Sequence, residues 1–111
     1  MSDSNCIFCK IANKEIPSEI VFEDESVIAF LDIHPHASGH SLLIPKEHYR
    51  WFVDLPDILS DEVFRGVKKV AKILKDKYEA DFIRVGIVGT DIPHVHIHLI
   101  PQKIGSEGPA Y

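Results

Sequence analysis

The chain has 111 residues, of which 45% are hydrophobic and 26% are charged, and its formal net charge is -5 at pH 7. These values exclude a disordered chain, which would be poorer in apolar residues and more strongly charged, and the length fits one domain. The negative charge argues against a nucleic-acid-binding protein, because a phosphate backbone would be repelled. We therefore expect a single domain over residues 1–111.

The N-terminal segment indicates a cytoplasmic protein with no membrane partner. Met1–Asn5 contains no basic residue, and neither an apolar signal-peptide region nor a membrane-spanning stretch follows it. The two cysteines, Cys6 and Cys9, are separated by two residues. This spacing occurs in redox motifs and in halves of zinc sites alike, so the spacing alone leaves the role of the pair open.

The first half of the chain predicts a short helix followed by three strands. Apolar residues recur at helical spacing between Cys6 and Asn13, which predicts the helix. Two β-rich runs that flank an acidic turn then predict a hairpin, and a third strand ends at a proline. The three predicted strands are Glu19–Glu23, Ser26–Leu31 and His40–Pro45.

The second half predicts one long helix and two more strands, Phe82–Val88 and His94–Ile100. An apolar residue recurs every three or four positions between Pro56 and Tyr78. The start of this helix stays open, because Ser60 is a possible cap whereas Pro56 suits the first helical position. The whole pattern predicts an α+β fold, in which a five-stranded, mainly antiparallel sheet carries one long helix and a short N-terminal helix.

Three histidines alternate with apolar residues in the last predicted strand. His94, His96 and His98 would share one face of it, because side chains alternate along extended backbone. Neighbouring members would have Cα atoms about 6.6 Å apart, close enough to act on one substrate group or one metal ion. At neutral pH one imidazole can attack as a nucleophile while another transfers a proton, so the pattern indicates a catalytic site.

The run His94-Val95-His96-Ile97-His98-Leu99-Ile100 is similar to the signature of the histidine triad family, in which three histidines alternate with apolar residues. Every position of the signature matches. Other segments of the chain resemble the Hint branch of this family, so the resemblance covers nearly the whole chain. These segments are Cys6–Ile11, Ile16–Ser18, Phe30–Ile33 and Ser38–His48.

This resemblance implies hydrolysis or transfer of a nucleotidyl group. His96 would attack the α-phosphorus of a nucleoside phosphoramidate or an anhydride, and water would then resolve the covalent intermediate. His98 and His40 would contact the phosphate and the leaving group. The Hint branch also implies a purine nucleotide as the substrate and a homodimer as the assembly.

The resemblance further implies a nucleotide-binding pocket. Asp32 would contact the ribose hydroxyls, although an aspartate at a strand end also serves to cap a turn. Gly89 and Thr90, in the loop before the triad, would contact the nucleotide. The base would lie among apolar residues, which would look the same in sequence if they only formed core. These apolar residues are Ile7, Phe8, Ile11, Phe30 and Ile33.

Several members of the family carry a structural zinc ion, and the matching ligands in this chain are Cys6, Cys9, His48 and His94. Four protein ligands close a tetrahedral site, so this zinc would stabilise the fold and would not be catalytic. The alternative is a pair of reduced thiols with His48 as a surface residue.

The loop over residues 86–93 departs from the family pattern, because it is shorter than the usual glycine-rich phosphate loop. Thr90 stands where a glutamine is expected, and Asp91 stands where some relatives have a serine that assists the leaving group. An acidic side chain beside phosphate would be repelled. We therefore expect Asp91 to turn away or to bind a cationic leaving group, and the preferred leaving group stays open.

The sequence is also compatible with three other functions. The first is hydrolysis of dinucleoside polyphosphates on the same fold. The second is a zinc-dependent hydrolase in which His94 and His96 chelate a catalytic metal ion. The third is a nucleotide-binding scaffold with little turnover. His34 and His36 match no role in the family, and we expect them to be exposed to solvent.

Overall fold

The computed structural model describes residue 3 and residues 5–105 of the chain. Its five strands form one sheet in the order β1-β2-β3-β5-β4, and every pair of neighbouring strands is antiparallel. The predicted fold class is confirmed. The elements are α1 (Ile7–Ala12), β1 (Ile20–Glu23), β2 (Val27–Leu31), β3 (Ser41–Pro45), a short 3-10 helix (Phe52–Asp54), α2 (Asp57–Lys77), β4 (Phe82–Ile87) and β5 (Ile97–Gln102).

The central strands β2 and β3 are buried on both faces because a helix covers each side of the sheet. Val27 and Ala29 of β2 belong to the core cluster that contains the buried residues of α2. Ile28 and Phe30, which alternate with them, belong to the second cluster, together with the buried residues of α1. Burial on both faces explains why the sequences of these two strands are continuously apolar. The apolar face of α1 packs against the second cluster.

The long helix α2 begins at Asp57, so the earlier of the two predicted starts, near Pro56, is the observed one. Pro56 lies at the N-cap position, and its carbonyl oxygen accepts a hydrogen bond from the Ser60 backbone N–H at 2.8 Å. Ser60 is therefore part of the first turn and is not the cap. Neither helix in the part of the chain that the structure describes is long and apolar enough to cross a membrane.

The strand predicted at His94–Ile100 begins later than expected, and β5 spans Ile97–Gln102. The reason is that pairing on both sides of β5 stops at Ile97: β4 ends at its partner Ile87, and β3 continues to Pro45 but no longer pairs with the triad segment beyond Leu43. Before that residue the backbone bonds to a loop, and the Val95 N–H donates to the Tyr49 carbonyl oxygen at 2.7 Å. The predicted alternation is nevertheless confirmed, because Val95 lies in the same core cluster as Ile97 and Leu99.

Gly39 lies in the turn that precedes β3, and its replacement tests whether this turn requires glycine. Its φ is +84°, and a Cβ atom there would lie 2.6 Å from Cε2 of Tyr78. We expect Gly39→Ala to lower the free energy of unfolding by about 2–4 kcal/mol, since left-handed strain and overpacking add. Gly105→Ala is the matched control, because its φ is +90° but nothing lies within 4 Å of the added atom. Urea unfolding would contradict this explanation if both variants lost the same stability.

Candidate active site

The triad histidines occupy the end of the sheet where β5 begins. His94 and His96 precede the strand and are almost fully buried, whereas His98 is within β5, opposite Leu42 of β3. The rings of His96 and His98 are neighbours, with centroids 5.2 Å apart. Phe8 of α1 packs edge-on against His96 at 5.1 Å between ring centroids. The sheet and α1 therefore fix the position of the middle histidine from two sides.

Hydrogen bonding fixes the tautomer of His96. Its Nδ1 lies 2.7 Å from the backbone oxygen of His94, and a carbonyl oxygen can only accept, so Nδ1 carries the proton. In the neutral ring the lone pair is then on Nε2. This Nε2 is buried and has no hydrogen-bond partner among the residues that the structure describes. A buried nitrogen lone pair without a donor is costly in a purely structural residue and is required in a nucleophile.

A second series of hydrogen bonds, from His36 to His40 and from His40 to His98, orients His98. The backbone N–H of His36 donates to His40 Nδ1 at 3.0 Å, so the proton of the neutral His40 ring is on Nε2. This Nε2 lies 3.0 Å from His98 Nδ1 and donates to it. The proton of a neutral His98 is therefore on Nε2. Sequence reasoning missed the contribution of His36, because it comes from the backbone of a loop.

Both supporting histidines are neutral in the free protein at pH 7. Burial, together with the neighbouring His96 and His40, lowers the pKa of His98 to about 4. Burial also lowers the pKa of His40, and this effect outweighs the opposing attraction of Asp32. A negatively charged phosphate beside His98 would raise its pKa again, because an opposite charge favours the protonated ring. His98 is thus suited to gain a proton when an anionic substrate binds.

An apolar cavity of about 470 Å³ opens beside His96 and His98. This volume lies in the range of about 300–1,000 Å³ that small-molecule sites occupy. All five residues predicted to form the base pocket line the cavity, and so does Asp32. The cavity is lined by Ile7, Phe8, Ile11, Ile16, Pro17, Ser18, Phe30, Leu31, Asp32, Ile33, His34, His36, Leu42, Asp91, Ile92, His96 and His98.

Asp32 combines the two interpretations that its position in the sequence leaves open. Its Oδ1 accepts the backbone N–H of His34 at 2.9 Å, so the side chain does cap a turn. Its Oδ2 lies 3.6 Å from His40 Nε2 and the residue lines the cavity. His34 and His36 are exposed, as expected, but both also line the cavity. Their position between Asp32 and His40 in the sequence is the signal that would have indicated this.

Gly89 and Thr90 lie away from the cavity. Gly89 has a φ of +100°, and a Cβ atom there would lie 3.1 Å from the Trp51 ring. The positive φ and the tight contact with Trp51 both favour glycine here without any bound ligand, and Thr90 is exposed. Neither residue lines the cavity. Their contact with a nucleotide stays a prediction that the geometry of the free protein does not favour, and Asp91 and Ile92 from the same loop take the places beside the histidines.

The four predicted metal ligands converge although they come from three separate segments. Cys6 Sγ lies 3.2 Å from His94 Nδ1, and Cys9 Sγ lies 3.2 Å from His48 Nδ1. All four ligand atoms are within 4.8 Å of one another. Tetrahedral zinc would separate sulfur and nitrogen ligands by about 3.5 Å, given Zn–S and Zn–N bonds of about 2.3 and 2.0 Å. The cluster therefore fits a zinc ion closely.

The surroundings of the cluster prepare it for a cation. His94 Nε2 donates to the Pro45 carbonyl oxygen at 2.8 Å, which leaves the lone pair on Nδ1, facing the cysteines. Burial lowers the pKa of His94 to about 4, so its ring is neutral. Burial also raises the pKa of Cys9 to about 11, so a bound cation would have to displace the thiol proton.

The geometry does not support a catalytic metal shared by His94 and His96. His94 directs Nδ1 to the cysteines, whereas His96 directs Nε2 to the cavity, and the metal-binding groups found among the described residues do not include His96. Asp32, His40 and His98 also place three ligand atoms within 4.8 Å. However, His40 Nε2 carries a proton because the His36 N–H occupies Nδ1, so this second group is a hydrogen-bonded set.

Comparison with known proteins agrees with this geometry. The sequence matches the HIT domain family over residues 13–105, and the chain belongs to that family. An adenosine 5'-monophosphoramidase of Saccharomyces cerevisiae is 41% identical over 107 residues, which are 96% of this chain and 68% of that protein. The chain is therefore similar along nearly its whole length to an enzyme that is named for acting on a phosphorus–nitrogen bond.

Solved structures share the fold. A crystal structure of a Hit-like protein from Bartonella henselae has a TM-score of 0.88 and 39% identity, covering 98% of this chain and 88% of that one. A zinc-bound histidine triad family protein from Mycobacterium smegmatis has a TM-score of 0.85 and 26% identity. The match covers 96% of this chain and 84% of that one. The sheet and the two helices of this chain are thus those of the HIT fold.

Proposed function

We propose that this HIT-family phosphorus-bond hydrolase cleaves nucleoside phosphoramidates or related AMP conjugates at the α-phosphate. The observation that carries the proposal is His96 Nε2, a buried nitrogen whose lone pair faces a nucleotide-sized cavity while Nδ1 is anchored to the His94 carbonyl oxygen. The yeast relative named as a phosphoramidase supports the same reaction class. The base and ribose bind between α1 and the turn at Asp32.

The first step forms a bond between His96 Nε2 and the α-phosphorus and breaks the bond between phosphorus and the leaving nitrogen. The electron pair of the broken bond goes to that nitrogen, which takes the proton that His98 gained when the anionic substrate bound. In the second step water attacks phosphorus, neutral His98 accepts the proton of the water, and the bond to His96 breaks. AMP leaves, and His98 is protonated again for the next substrate.

Side-by-side kinetics test this choice of substrate. We expect kcat/KM for AMP phosphoramidate to exceed that for diadenosine tetraphosphate by about tenfold or more, because no lysine or arginine among the described residues lines the cavity to balance a polyphosphate. A higher value for the polyphosphate would make dinucleoside polyphosphate hydrolysis the function. Tight binding of AMP with no turnover of either compound would make the protein a nucleotide-binding scaffold.

The structural cofactor that we propose is zinc, held by Cys6, Cys9, His48 and His94. The donor set, its spacing and the fixed tautomer of His94 support zinc over a hard cation such as magnesium. The zinc-bound mycobacterial relative supports it as well. Such an ion would hold α1 against the start of β5. Reduced cysteine ligands also agree with a cytoplasmic location, which we retain as part of the proposal.

The assembly that we propose is a homodimer formed through the edge of the sheet at β4. Among the strands that the structure describes, β4 has β5 as its one neighbour, and its Val85 side chain is 47% exposed. Phe52, Val53 and Val88 are other exposed apolar residues of the chain. An unprotected edge strand with apolar side chains favours pairing with another chain. We expect light scattering to give the mass of two chains and Val85→Lys to give one, whereas a monomeric wild type would contradict the proposal.

A further inference from the structure

Asp91 places a carboxylate beside the reacting nitrogen. Its Oδ1 lies 3.4 Å from His96 Nε2, and its side chain is 63% exposed at the mouth of the cavity. The contact is not a hydrogen bond in the neutral enzyme, because Nε2 carries a lone pair and no proton. An attacked phosphorus would approach to about 3–3.5 Å from the same nitrogen. Asp91 therefore lies next to the phosphoryl group during the reaction.

The carboxylate of Asp91 is negatively charged at neutral pH. Partial burial acts to raise its pKa, but hydrogen bonds from the backbone N–H groups of Ile92 and Asp91, together with His96 and His98, hold the pKa below its usual value. Asp32 is the other carboxylate that lines the cavity. Among the described residues, no lysine or arginine lines it to balance these two charges. An anionic substrate thus enters a cavity whose described lining can supply a positive charge only by protonation of a histidine.

We propose that Asp91 is a specificity-determining residue, which selects nucleotide conjugates whose leaving group carries a positive charge and disfavours those whose leaving group is anionic. The inference rests on the proposed function, because it names the charge of the group that the reaction releases. A neutral side chain at this position would exert no such selection, because it would carry no charge to attract or repel the leaving group. A primary ammonium on the leaving amine is the chemistry that the carboxylate would attract.

The expected size of the effect follows from the short distance. The leaving group, bonded to the phosphorus that His96 attacks, lies well within one Debye length of about 8 Å from Asp91. Two unit charges about 6 Å apart at an effective dielectric constant near 40 change an equilibrium or a rate by roughly tenfold. Changing the leaving group from neutral to cationic should therefore raise kcat/KM roughly tenfold, and changing it to anionic should lower kcat/KM by a similar factor.

The test uses three AMP phosphoramidates that differ in the amine. The butylamide is neutral, the aminopropylamide has an ammonium in place of the terminal methyl group, and the carboxyethylamide has a carboxylate. For the wild type we expect kcat/KM to fall in the order aminopropyl, butyl, carboxyethyl, and added sodium chloride to compress the series. In Asp91→Asn the three values should converge to within about threefold. Asp76→Asn, on the exposed side of α2, removes the same charge far from the cavity and should keep the wild-type order.

The outcomes separate this inference from the function on which it rests. Turnover of all three conjugates with the same charge preference in wild type and Asp91→Asn would overturn the role of Asp91 and leave the proposed function standing. Absence of turnover with every conjugate would overturn the proposed function. Calorimetry on His96→Ala measures binding of the three conjugates without turnover, and equal affinities there, with or without Asp91→Asn, would also count against the inference.

Discussion

His96→Ala is expected to reduce kcat with AMP phosphoramidate by at least about four orders of magnitude, because it removes the nitrogen that attacks phosphorus. The affinity for AMP should change little, since the base and ribose contact α1, β2 and the turn at Asp32. Calorimetry measures the affinity. Loss of the buried ring and of its hydrogen bond to the His94 carbonyl oxygen should cost the fold about 2–4 kcal/mol, and a thermal melt checks that the variant is folded.

His98→Ala serves as the graded comparison for this result. We expect its loss of kcat to depend on the leaving group, because an activated leaving group needs less protonation to depart. The deficit of His98→Ala should therefore shrink with an AMP nitrophenyl ester, whereas the deficit of His96→Ala should not. A deficit of His96→Ala that shrinks in the same way would assign the nucleophile to another group.

Cys9→Ser is expected to have the second largest effect among these variants. It should lower the stability of the fold more than it lowers the rate of the reaction. The wild type should contain about one zinc ion per chain, and the variant should contain little, because a hydroxyl is a poor replacement for a thiolate ligand. We expect its free energy of unfolding to fall by at least about 3 kcal/mol, with the loss centred on α1. Elemental analysis and urea unfolding measure the two quantities. Ala12→Ser, on the same helix but outside the cluster, should change neither by much.

Two results would contradict the zinc site. One is a wild-type protein that contains no metal and whose Cys6 and Cys9 are alkylated freely in the native state, although both are buried. The other is a folded Cys9→Ser protein with normal stability whose reaction at His96 is abolished. The second result would mean that the cluster acts in the chemistry and does not simply hold the fold.

The elements of this fold could be predicted because each has a periodic pattern. The repeat of Val63, Val70 and Leu74 defines the buried face of α2, and the alternation of Val95 and Ile97 defines the core side of the triad segment. Both patterns follow from the geometry of a regular backbone. The exact start of β5 could not be predicted, because it depends on where β3 and β4 stop pairing, which is a property of the neighbouring strands.

The site could be predicted only where a signature or a resemblance indicated it. The triad is recognisable from its alternating histidines. His48 contacts Cys9 but lies 39 residues away from it in the sequence, so only the family resemblance predicted that the two residues meet. The position of Asp91 beside His96 depends on the path of a short loop, and the contact from His36 to His40 is made by a backbone N–H. Neither is encoded by a residue pattern, so both required the folded chain.

The most direct test of the mechanism is capture of the covalent intermediate. The wild type would be mixed with a labelled AMP phosphoramidate and quenched rapidly without acid, because a bond between phosphorus and histidine nitrogen is acid-labile. Peptide mass spectrometry should then locate a nucleotidyl group on His96, and the same procedure applied to His96→Ala should find none. An adduct on another residue, or full turnover by His96→Ala, would contradict the assignment of His96 as the nucleophile.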